Sequence, residues 1–392
     1  MSEPSSIRLD WIEPTLTEGP TNAKEIGTYN WDPSSTTKTP RMIVPGLPPF
    51  LIDSQEPPHL EYDQGTFFCD ENLYRQKKCP TESLFQAVSI CTPSFDWRKV
   101  DFVTDRNNLR KLMRAIQPNW DTYDDQSFQI DLDVIGTTVV LTRVGPAESK
   151  VFGCGHSFER QMTKERPEGS FRRIISLDLG SISLVVRSEI DAVDGGTWRS
   201  VSRKAEWESV SDSRIEIKRG GGLKEGSETP EYWELKTKAL KKRFDWSDAY
   251  GQLRLGDIQN LLIARTKWTE IVSMESLTRN ELGARSRLFD LFGRLEAVLI
   301  SILGVVRKEG SGGKSYSVSW DGWNPVLEIR HQRATRVSEA ARALIIVCYN
   351  IKKSLLRLME SETREDDKLM MTLRQVYFGY HSHHLSTSER RR

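Results

Sequence analysis

Residues 174–193 read IISLDLGSISLVVRSEIDAV, and this stretch decides what the middle of the chain becomes. It is rich in Ile, Val and Leu, and Gly180 separates its two apolar runs. Such a composition, with a turn residue between the runs, is typical of two adjoining β-strands. Residues 128–144 repeat the pattern around Gly136. The sequence therefore predicts a β-sheet in the middle of the chain.

Helical periodicity flanks this predicted sheet. After Asp105, apolar residues recur at offsets of three, four and seven, and Arg106 lies in the first turn of the predicted helix. Residues 288–306 and 337–359 show similar periodicity and also predict helices. A further apolar helix face is predicted from Leu255, Ile258, Leu261 and Leu262.

The composition bounds the size and the charge of the protein. The chain has 392 residues, of which 37% are hydrophobic, so it can bury a sizeable core as one large domain or two closely joined ones. Lysine and arginine number 56 against 55 acidic residues, which gives a net charge of +1. This balance excludes a protein that binds nucleic acid through bulk positive charge, so any basic site must be local.

Cysteine usage and hydropathy indicate the cellular compartment. The five cysteines show no CxxC spacing, and the first thirty residues lack the apolar segment of a signal peptide. The longest apolar run, Ala297 to Val306, is far shorter than the roughly 20 residues that cross a membrane. We therefore expect a soluble intracellular protein without a membrane partner.

The polar ends of the chain set the expected domain boundaries. Residues 1–24 are rich in Pro, Ser and Thr and are expected to form a disordered arm. A single domain is expected over residues 25–380, with a C-terminal helical elaboration at about 285–360. Residues 381–392 form a polar basic tail, whose histidines lack the paired cysteines of a zinc site. These histidines are His381, His383 and His384.

Two short motifs place acidic side chains on predicted strands. Side chains two apart on a strand share a face, so Glu189 and Asp191 are expected to project together while Ile190 points into apolar packing. The same spacing places Glu234 and Lys236 on one face of the later segment YWELKT. Each strand is therefore expected to present a polar pair.

The two polar pairs allow two interpretations. If their faces meet, three carboxylates gather around one ammonium group, and mutual repulsion opposes this unless cations neutralise it. Hard divalent cations with oxygen ligands, Mg²⁺ or Mn²⁺, are suited to such a cluster. The alternative is a solvated sheet face in which acids and lysines form ordinary cross-strand ion pairs.

These motifs belong to a larger set. The set comprises, in chain order, EIGTYNW (residues 25–31), VPGLPP (44–49), DFVTDRNNL (101–109), GHSFE (155–159), EID (189–191), ELK (234–236) and IQN (258–260). As a set, it resembles the motifs of the DXO/Rai-type decapping nuclease family, whose members trim defective or non-canonically capped RNA 5′ ends. One departure is His156, which stands where the family has an aromatic residue.

The resemblance covers residues 25 to about 270. The motifs at residues 25–31 and 44–49 are similar to the N-terminal arm of fungal members of the family. It implies an α+β fold in which a mixed β-sheet and a smaller antiparallel sheet are flanked by helices. Such a fold is related to that of PD-(D/E)xK nucleases.

The resemblance also implies a role for each matched residue. The implied ligands of two divalent cations, Mg²⁺ or Mn²⁺, are Glu159, Glu189, Asp191, Glu234 and the carbonyl of Leu235. Glu189 would act through water and take part in catalysis. Lys236 and Gln259 would be catalytic and would orient the nucleophile or the scissile phosphate. Arg106 would clamp a substrate phosphate, and Glu159 would also contact the substrate.

Each of these roles has a structural alternative. Arg106 can be a helix-start arginine paired with an acid, and Gln259 an ordinary amide beside an apolar helix face. Glu159 can be an acid on the surface of a helix. The motifs alone leave these alternatives open.

Two functions from different classes follow from the resemblance. In the first, the protein is a metal-dependent hydrolase that acts on RNA 5′ ends bearing a triphosphate, an incomplete cap or an NAD cap, in 5′-end quality control. It could also degrade the exposed RNA from its 5′ end. In the second, it is a partner that binds and stabilises a nuclear 5′-to-3′ exoribonuclease. The resemblance implies a nuclear location, with the cytoplasm as the alternative, and the intact carboxylate set favours the enzyme.

Overall fold

The computed structural model describes residues 5–52, 56–117, 127–150, 152–164, 169–194, 207–209, 215–222, 230–286, 290–308, 313–339 and 341–346. The described residues up to Ile345 form one compact unit. The tail at 381–392 with its histidines lies outside the described residues, as does most of the helix predicted at 337–359.

The described residues form twenty strands and seven α-helices. The strands are β1 Ser5–Arg8, β2 Thr21–Trp31, β3 Arg41–Val44, β4 Phe50–Leu51, β5 Thr66–Phe68, β6 Phe102–Asp105, β7 Phe128–Ile135, β8 Thr138–Arg143, β9 Glu148–Lys150, β10 Thr163–Lys164, β11 Phe171–Leu179, β12 Ile182–Glu189, β13 Ala192–Val193, β14 Trp207–Ser209, β15 Glu216–Arg219, β16 Tyr232–Ala239, β17 Asn260–Lys267, β18 Glu270–Thr278, β19 Ser315–Trp320 and β20 Val326–Gln332. The helices are α1 Glu71–Arg75, α2 Glu82–Cys91, α3 Arg106–Ile116, α4 Gly155–Gln161, α5 Trp246–Gly256, α6 Arg279–Arg285 and α7 Leu291–Lys308.

The predicted α+β architecture is confirmed. Twelve strands form a mixed sheet in the order β1-β20-β19-β7-β8-β6-β12-β11-β2-β3-β15-β14. Six strands form a second sheet in the order β10-β4-β13-β16-β17-β18, and β5 pairs with β9. The second sheet is mixed rather than antiparallel as expected, because β13 runs parallel to β4 and β16 runs parallel to β17.

The main hydrophobic core lies between the large sheet and helices α3 and α7. The apolar positions that predict α3, among them Leu109 and Leu112, are fully buried there. They pack with Val186 of β12 and with Leu295 and Leu299 of α7. Burying each such side chain contributes roughly 1.5–3 kcal/mol, so this core fixes the start of α3 relative to β12.

The prediction that Leu255, Ile258, Leu261 and Leu262 lie on one face of a single helix is wrong. Helix α5 ends at Gly256, and Asp257 takes a left-handed conformation with φ +48°. Leu261 and Leu262 then lie in β17, which is paired on both sides, to β16 and to β18. An apolar run that is buried on both faces of a sheet lacks the alternation of an ordinary strand, which explains the error.

The N-terminal arm differs from the disordered segment expected over residues 1–24. Strand β1 pairs antiparallel with β20, and Ile7 and Leu9 are buried in the main core. The partner strand lies more than 300 residues away in sequence, so local composition gives no sign of this pairing. Strands β19 and β20 lie within the region expected at about 285–360, and β19 pairs with β7.

A buried carboxylate ties the arm to the core. Glu296 of α7 accepts hydrogen bonds from the hydroxyls of Thr15 and Thr17 and from the backbone N–H and hydroxyl of Ser181. Gly180 precedes Ser181 at φ +59°, and a Cβ there would lie 2.1 Å from Glu296 Oε2. Burial alone would raise the pKa of Glu296, but the hydrogen bonds, led by the Ser181 N–H, lower it to about 2.

Candidate active site

The acidic motif 189–191 lies where the chain passes from one sheet to the other. Strand β12 of the large sheet ends at Glu189, and β13 of the second sheet begins at Ala192. Ile190 is buried in the apolar cluster of the second sheet, which confirms its predicted inward direction. Because the strand is interrupted at this crossing, the two acids enter different surroundings.

Glu234 of β16 lies at the centre of the site. The residue is only 2% exposed, and its Oε2 accepts a hydrogen bond from Arg106 Nη1 at 3.0 Å. Its other oxygen contacts the Lys236 ammonium. Burial alone would raise the pKa of Glu234, but Arg106 and then Lys236 outweigh burial and lower it to about 2. Glu234 is therefore ionised and neutralised by two cations.

Arg106 is positioned by the entry into α3. Asp105 immediately precedes the helix, and buried Arg187 of β12 donates to both of its oxygens, at 2.6 and 2.9 Å. Arg106 also lies 3.1 Å from the position that a Cβ at Gly256 would take, so the end of α5 admits the guanidinium because it lacks a side chain there. The predicted phosphate clamp thus lies in the site, paired with an acid.

Asp191 is the acid of the site without an ion pair among the described residues. Its Oδ2 accepts a hydrogen bond from the backbone N–H of Leu235 at 2.8 Å. Burial raises the pKa of Asp191 well above its usual range, and the nearby Glu234 and Glu159 raise it further. Three carboxylates therefore lie close enough to repel one another.

Glu159 reaches this cluster from α4. Asp63 holds the start of that helix by accepting from the backbone N–H groups of His156 and Ser157 at 3.0 and 2.8 Å. His156 Nδ1 lies 3.5 Å from Glu159 Oε2, and the imidazole stacks on Phe67 with centroids 4.2 Å apart. Hydrogen bonding to Glu159 raises the pKa of His156. The histidine that departs from the family pattern is therefore a hydrogen-bond partner of Glu159.

Two predicted residues lie apart from the cluster. The Glu189 carboxylate is directed to Arg172 of β11, at 2.8 Å, and is half exposed. Gln259 accepts from the Tyr232 N–H and donates to the Asp257 carbonyl, both at 2.9 Å, so its amide joins backbone segments. The structure brings together Arg106, Glu159, Asp191, Glu234, Leu235 and Lys236, but not the side chains of Glu189 and Gln259.

Two residues near the site were not predicted from the sequence. The carbonyl of Gln252 in α5 accepts from Arg106, its amide donates to Asp248, and its Oε1 is buried without a partner among the described residues. Arg110 pairs with Asp248 at 2.6 Å, and its charge also lowers the pKa of Glu234. The i,i+4 spacings from Arg106 to Arg110 and from Asp248 to Gln252 are the sequence signals that could have identified them.

The donor set suits a hard divalent cation. Within the described residues, no group of three or more His, Cys, Asp or Glu side chains is arranged to hold a metal ion. Three of the predicted ligands have other neighbours instead, because Glu234 and Glu189 each face arginine and Glu159 faces a histidine. Asp191 has no ion pair among the described residues and lies beside two carboxylates, so a cation would stabilise its ionised form, and carboxylate oxygens are the ligands that Mg²⁺ and Mn²⁺ prefer.

Solved structures with the same fold were found by comparison. Rai1 of S. pombe is 16% identical, with a TM-score of 0.53 over 84% of this chain and 100% of that one, and it was also solved with 3′-FADP. Dxo1 of K. lactis, solved with manganese, is 12% identical, with a TM-score of 0.53 over 84% and 96%. Rai1 of Candida albicans, solved with pU5 and Mn²⁺, is 11% identical, with a TM-score of 0.55 over 88% and 100%.

These likenesses show that the chain has the Rai/DXO-type fold, as the sequence motifs imply. The family model described as a domain of unknown function, DUF8563, matches residues 13–285, which is more than half of the chain. No curated protein matches the sequence. In the described part of the chain, no helix is long and apolar enough to cross a membrane.

Proposed function

The chain belongs to the DUF8563 family, and we propose that it is a divalent-metal-dependent hydrolase of RNA 5′ ends. The observation that carries the proposal is Asp191, an acid that has no ion pair in the described part of the chain and whose pKa is raised by burial and by two further carboxylates. Clusters of mutually repelling acids are characteristic of functional sites that hold cations. The manganese bound by Dxo1 and the pU5 and Mn²⁺ bound by Rai1, on the same fold, support this interpretation.

The residues that would hold two divalent cations, Mg²⁺ or Mn²⁺, are Glu159, Asp191, Glu234 and the carbonyl of Leu235, with Glu189 acting through water. Such cations, when bound, activate water and stabilise the charge that develops during displacement at phosphorus. Glu189 would have to leave Arg172 for this role, and its half-exposed side chain is free to turn. The raised pKa of Asp191 supports a role for cations in this cluster.

The cations of the chain itself would bind the substrate. Arg106 would release Glu234 to the metals and turn its planar guanidinium to a substrate phosphate, for which a bidentate contact is suited. Lys236 would remain beside the scissile phosphate and stabilise charge in the transition state. Gln259 would contribute by holding the start of β16, since both ends of its amide bond to backbone.

The proposed substrates are RNA 5′ ends that carry a triphosphate, an incomplete cap or an NAD cap. The 3′-FADP bound by S. pombe Rai1 supports recognition of a dinucleotide-like end, and pU5 supports recognition of the RNA that follows. We assign the protein to nuclear RNA 5′-end quality control on this basis, with 5′-to-3′ degradation of the exposed RNA as a further activity.

One observation favours a second function. Glu234 and Glu189 each pair with an arginine, and Glu159 lies 3.5 Å from His156, which is the arrangement expected of a structural polar network. In that case the protein would bind and stabilise a 5′-to-3′ exoribonuclease without hydrolysing RNA itself.

An assay of RNA ends distinguishes the two functions. Purified protein is incubated with RNAs that bear triphosphate, unmethylated cap, methylated cap and NAD ends, with and without Mn²⁺ or Mg²⁺. The enzyme releases 5′-end products from at least one RNA only when metal is present. Intact RNAs in every reaction would contradict the hydrolase and favour the partner.

A further inference from the structure

A cavity of about 510 Å³ lies between α3, the start of β7, the segment after β8 and the end of β19. Its volume is in the range of small-molecule binding sites. Lys111 and Arg143 line it and supply two positive charges, and no Asp or Glu is among its described lining residues. None of the lining residues belongs to the candidate active site.

Lys111 is a cation without a partner in the described part of the chain. Its ammonium has neither an ion pair nor a hydrogen bond there, and it lies 6.0 Å from the ring centroid of Phe128. Burial, and then repulsion from Arg143, lower the pKa of Lys111 to about 8, against a smaller opposing effect of Asp70. An anion in the cavity would oppose both effects and raise the pKa of Lys111 again.

Arg143 also has an unmet donor. Its Nη1 donates to the Cys69 carbonyl at 2.6 Å, which fixes the guanidinium, while its Nε is buried without a partner among the described residues. Gln129 and Ser319 add polar groups to the lining, and Trp320 adds an aromatic ring. Two cations with free N–H groups beside aromatic rings form a suitable surface for a phosphorylated nucleoside.

A second cavity, of about 570 Å³, provides a contrast. It is lined by Lys314, Arg333 and Arg342, but also by Glu339. Arg342 already pairs with Asp133 at 3.7 Å. The lining of this second cavity therefore contains an acid, whereas the acid nearest the first cavity, Asp70, acts on Lys111 from outside the described lining.

We propose that the cavity at Lys111 and Arg143 binds the phosphate of a nucleotide. Two sources supply this chemistry, namely a free mononucleotide or a backbone phosphate of an RNA strand. A phosphate presents several acceptor oxygens, enough for the Lys111 ammonium, the Arg143 Nε–H and a neighbouring hydroxyl or amide at once. The site does not depend on hydrolysis at Asp191, so it can be tested separately from the proposed function.

Competitive labelling of lysines tests the proposal on the full chain. The protein is acetylated for short times at pH 7.5 without divalent metal, and modified lysines are quantified by mass spectrometry. At pH 7.5, a lysine with a pKa of about 8 is roughly one-quarter deprotonated, whereas an ordinary lysine is deprotonated at roughly a thousandth, so Lys111 is expected to react early. The probes are inorganic phosphate, AMP and a pentauridylate with a 5′ hydroxyl. At least one probe should slow acetylation of Lys111 about fivefold or more, while exposed Lys164 is unaffected.

Variants of the two cationic residues test whether the probe that protects Lys111 also binds through them. Lys111→Gln and Arg143→Gln should each weaken binding of the protecting probe about tenfold, the loss expected for one charged hydrogen bond. Lys111→Arg should retain binding, and Lys164→Gln is the matched control. Thermal melts establish that each variant is folded. Unchanged affinity in both glutamine variants, or no protection by any probe at millimolar concentration, would overturn the proposal.

The three probes and Arg106→Ala distinguish the sources. Protection by AMP or phosphate that persists in Arg106→Ala identifies a free nucleotide. Protection by pentauridylate alone, lost in Arg106→Ala, identifies an RNA strand that also reaches the candidate active site. If the protein hydrolyses none of the RNA ends but a probe still protects Lys111, the proposed function is wrong and the nucleotide site stands. The two proposals can therefore fail independently.

Discussion

Two segments of the chain have the same acid-x-acid pattern, one within strand β7 and one at the end of β12, and their surroundings differ. In β7, Asp131 accepts hydrogen bonds from the side chains of Gln129, Gln332 and Arg336. Asp133 accepts from the Ser315 hydroxyl and the Arg336 N–H and pairs with Arg342. Both acids of this pair are buried, and their oxygens have donors.

In the segment 189–191, by contrast, Asp191 has one backbone donor and faces other carboxylates. The comparison shows that acid-x-acid spacing is not by itself a metal signal. Asp131 and Asp133 belong to a structural network because cations and hydroxyls surround them, whereas Asp191 belongs to a candidate cation site because two other acids lie beside it. The following predictions test this contrast, beginning with the largest effect.

Asp191→Asn should abolish metal-dependent release of RNA 5′-end products. The change keeps the shape of the side chain but removes the charge that the cluster offers to a cation, and a loss of at least about a hundredfold is expected, since even outer-shell changes cost 10–100-fold. Asp133→Asn is the control, with activity within about twofold of the unmodified protein. Undiminished turnover of Asp191→Asn in excess Mn²⁺ would remove Asp191 from the site.

The control variant Asp133→Asn should lose stability rather than activity. Asp133→Asn replaces an acceptor that Arg342, Ser315 and the Arg336 N–H use, so we expect the free energy of unfolding to fall by roughly 2 kcal/mol. Urea denaturation measures this loss. In the absence of metal, Asp191→Asn should show no such loss, because it relieves repulsion, and an equal destabilisation of both variants would abolish the contrast.

Glu296 is another buried acid whose carboxylate oxygens have hydrogen-bond donors, like those of Asp131 and Asp133. Its pKa of about 2 lies below its usual value of 4.5, so its stabilising effect is fully present above about pH 4.5 and is lost as the pH falls toward 2. Glu296→Gln should therefore lower the free energy of unfolding by roughly 2 kcal/mol at pH 7. The difference from the unmodified protein should narrow between pH 5 and pH 3. A difference that is independent of pH would show that the charge of Glu296 does not matter.

Substitutions of Arg106 and Lys236, the two cations that contact Glu234, should change different kinetic parameters. Arg106→Ala should raise KM about tenfold and reduce the salt dependence of RNA affinity by about one phosphate contact. Lys236→Ala should instead lower kcat about tenfold or more, with a smaller change in KM, because its contact is made mainly in the transition state. If Arg106→Ala leaves KM unchanged and lowers only stability, Arg106 is an ion-pair residue like Arg342.

Local patterns predicted the parts of the site that depend on local geometry. Strand periodicity placed Ile190 in the core, and helical periodicity placed Arg106 at the start of α3. The pairing of Arg106 with Glu234 spans 128 positions, so no spacing rule anticipates it. The separation of Glu189 from Asp191 was missed because a strand break at the crossing between two sheets depends on tertiary structure.

The errors in the fold have related physical causes. Leu261 and Leu262 were assigned to a helix because a strand buried on both faces carries an apolar run without alternation. Strand β1 was missed because its partner β20 lies at the other end of the described chain. Gln259 was placed in the site by position in a motif, whereas both ends of its amide bond to backbone.

The measurement that most directly tests the cation site at Asp191 is the effect of Mn²⁺ on thermal unfolding of three proteins, the unmodified chain, Asp191→Asn and Asp133→Asn. At a metal concentration near 100 times Kd, binding to the folded state should add about 2.7 kcal/mol to the stability of the unmodified chain. We predict the same gain in Asp133→Asn and none in Asp191→Asn. An equal gain in Asp191→Asn, or no gain in the unmodified chain, would contradict the assignment.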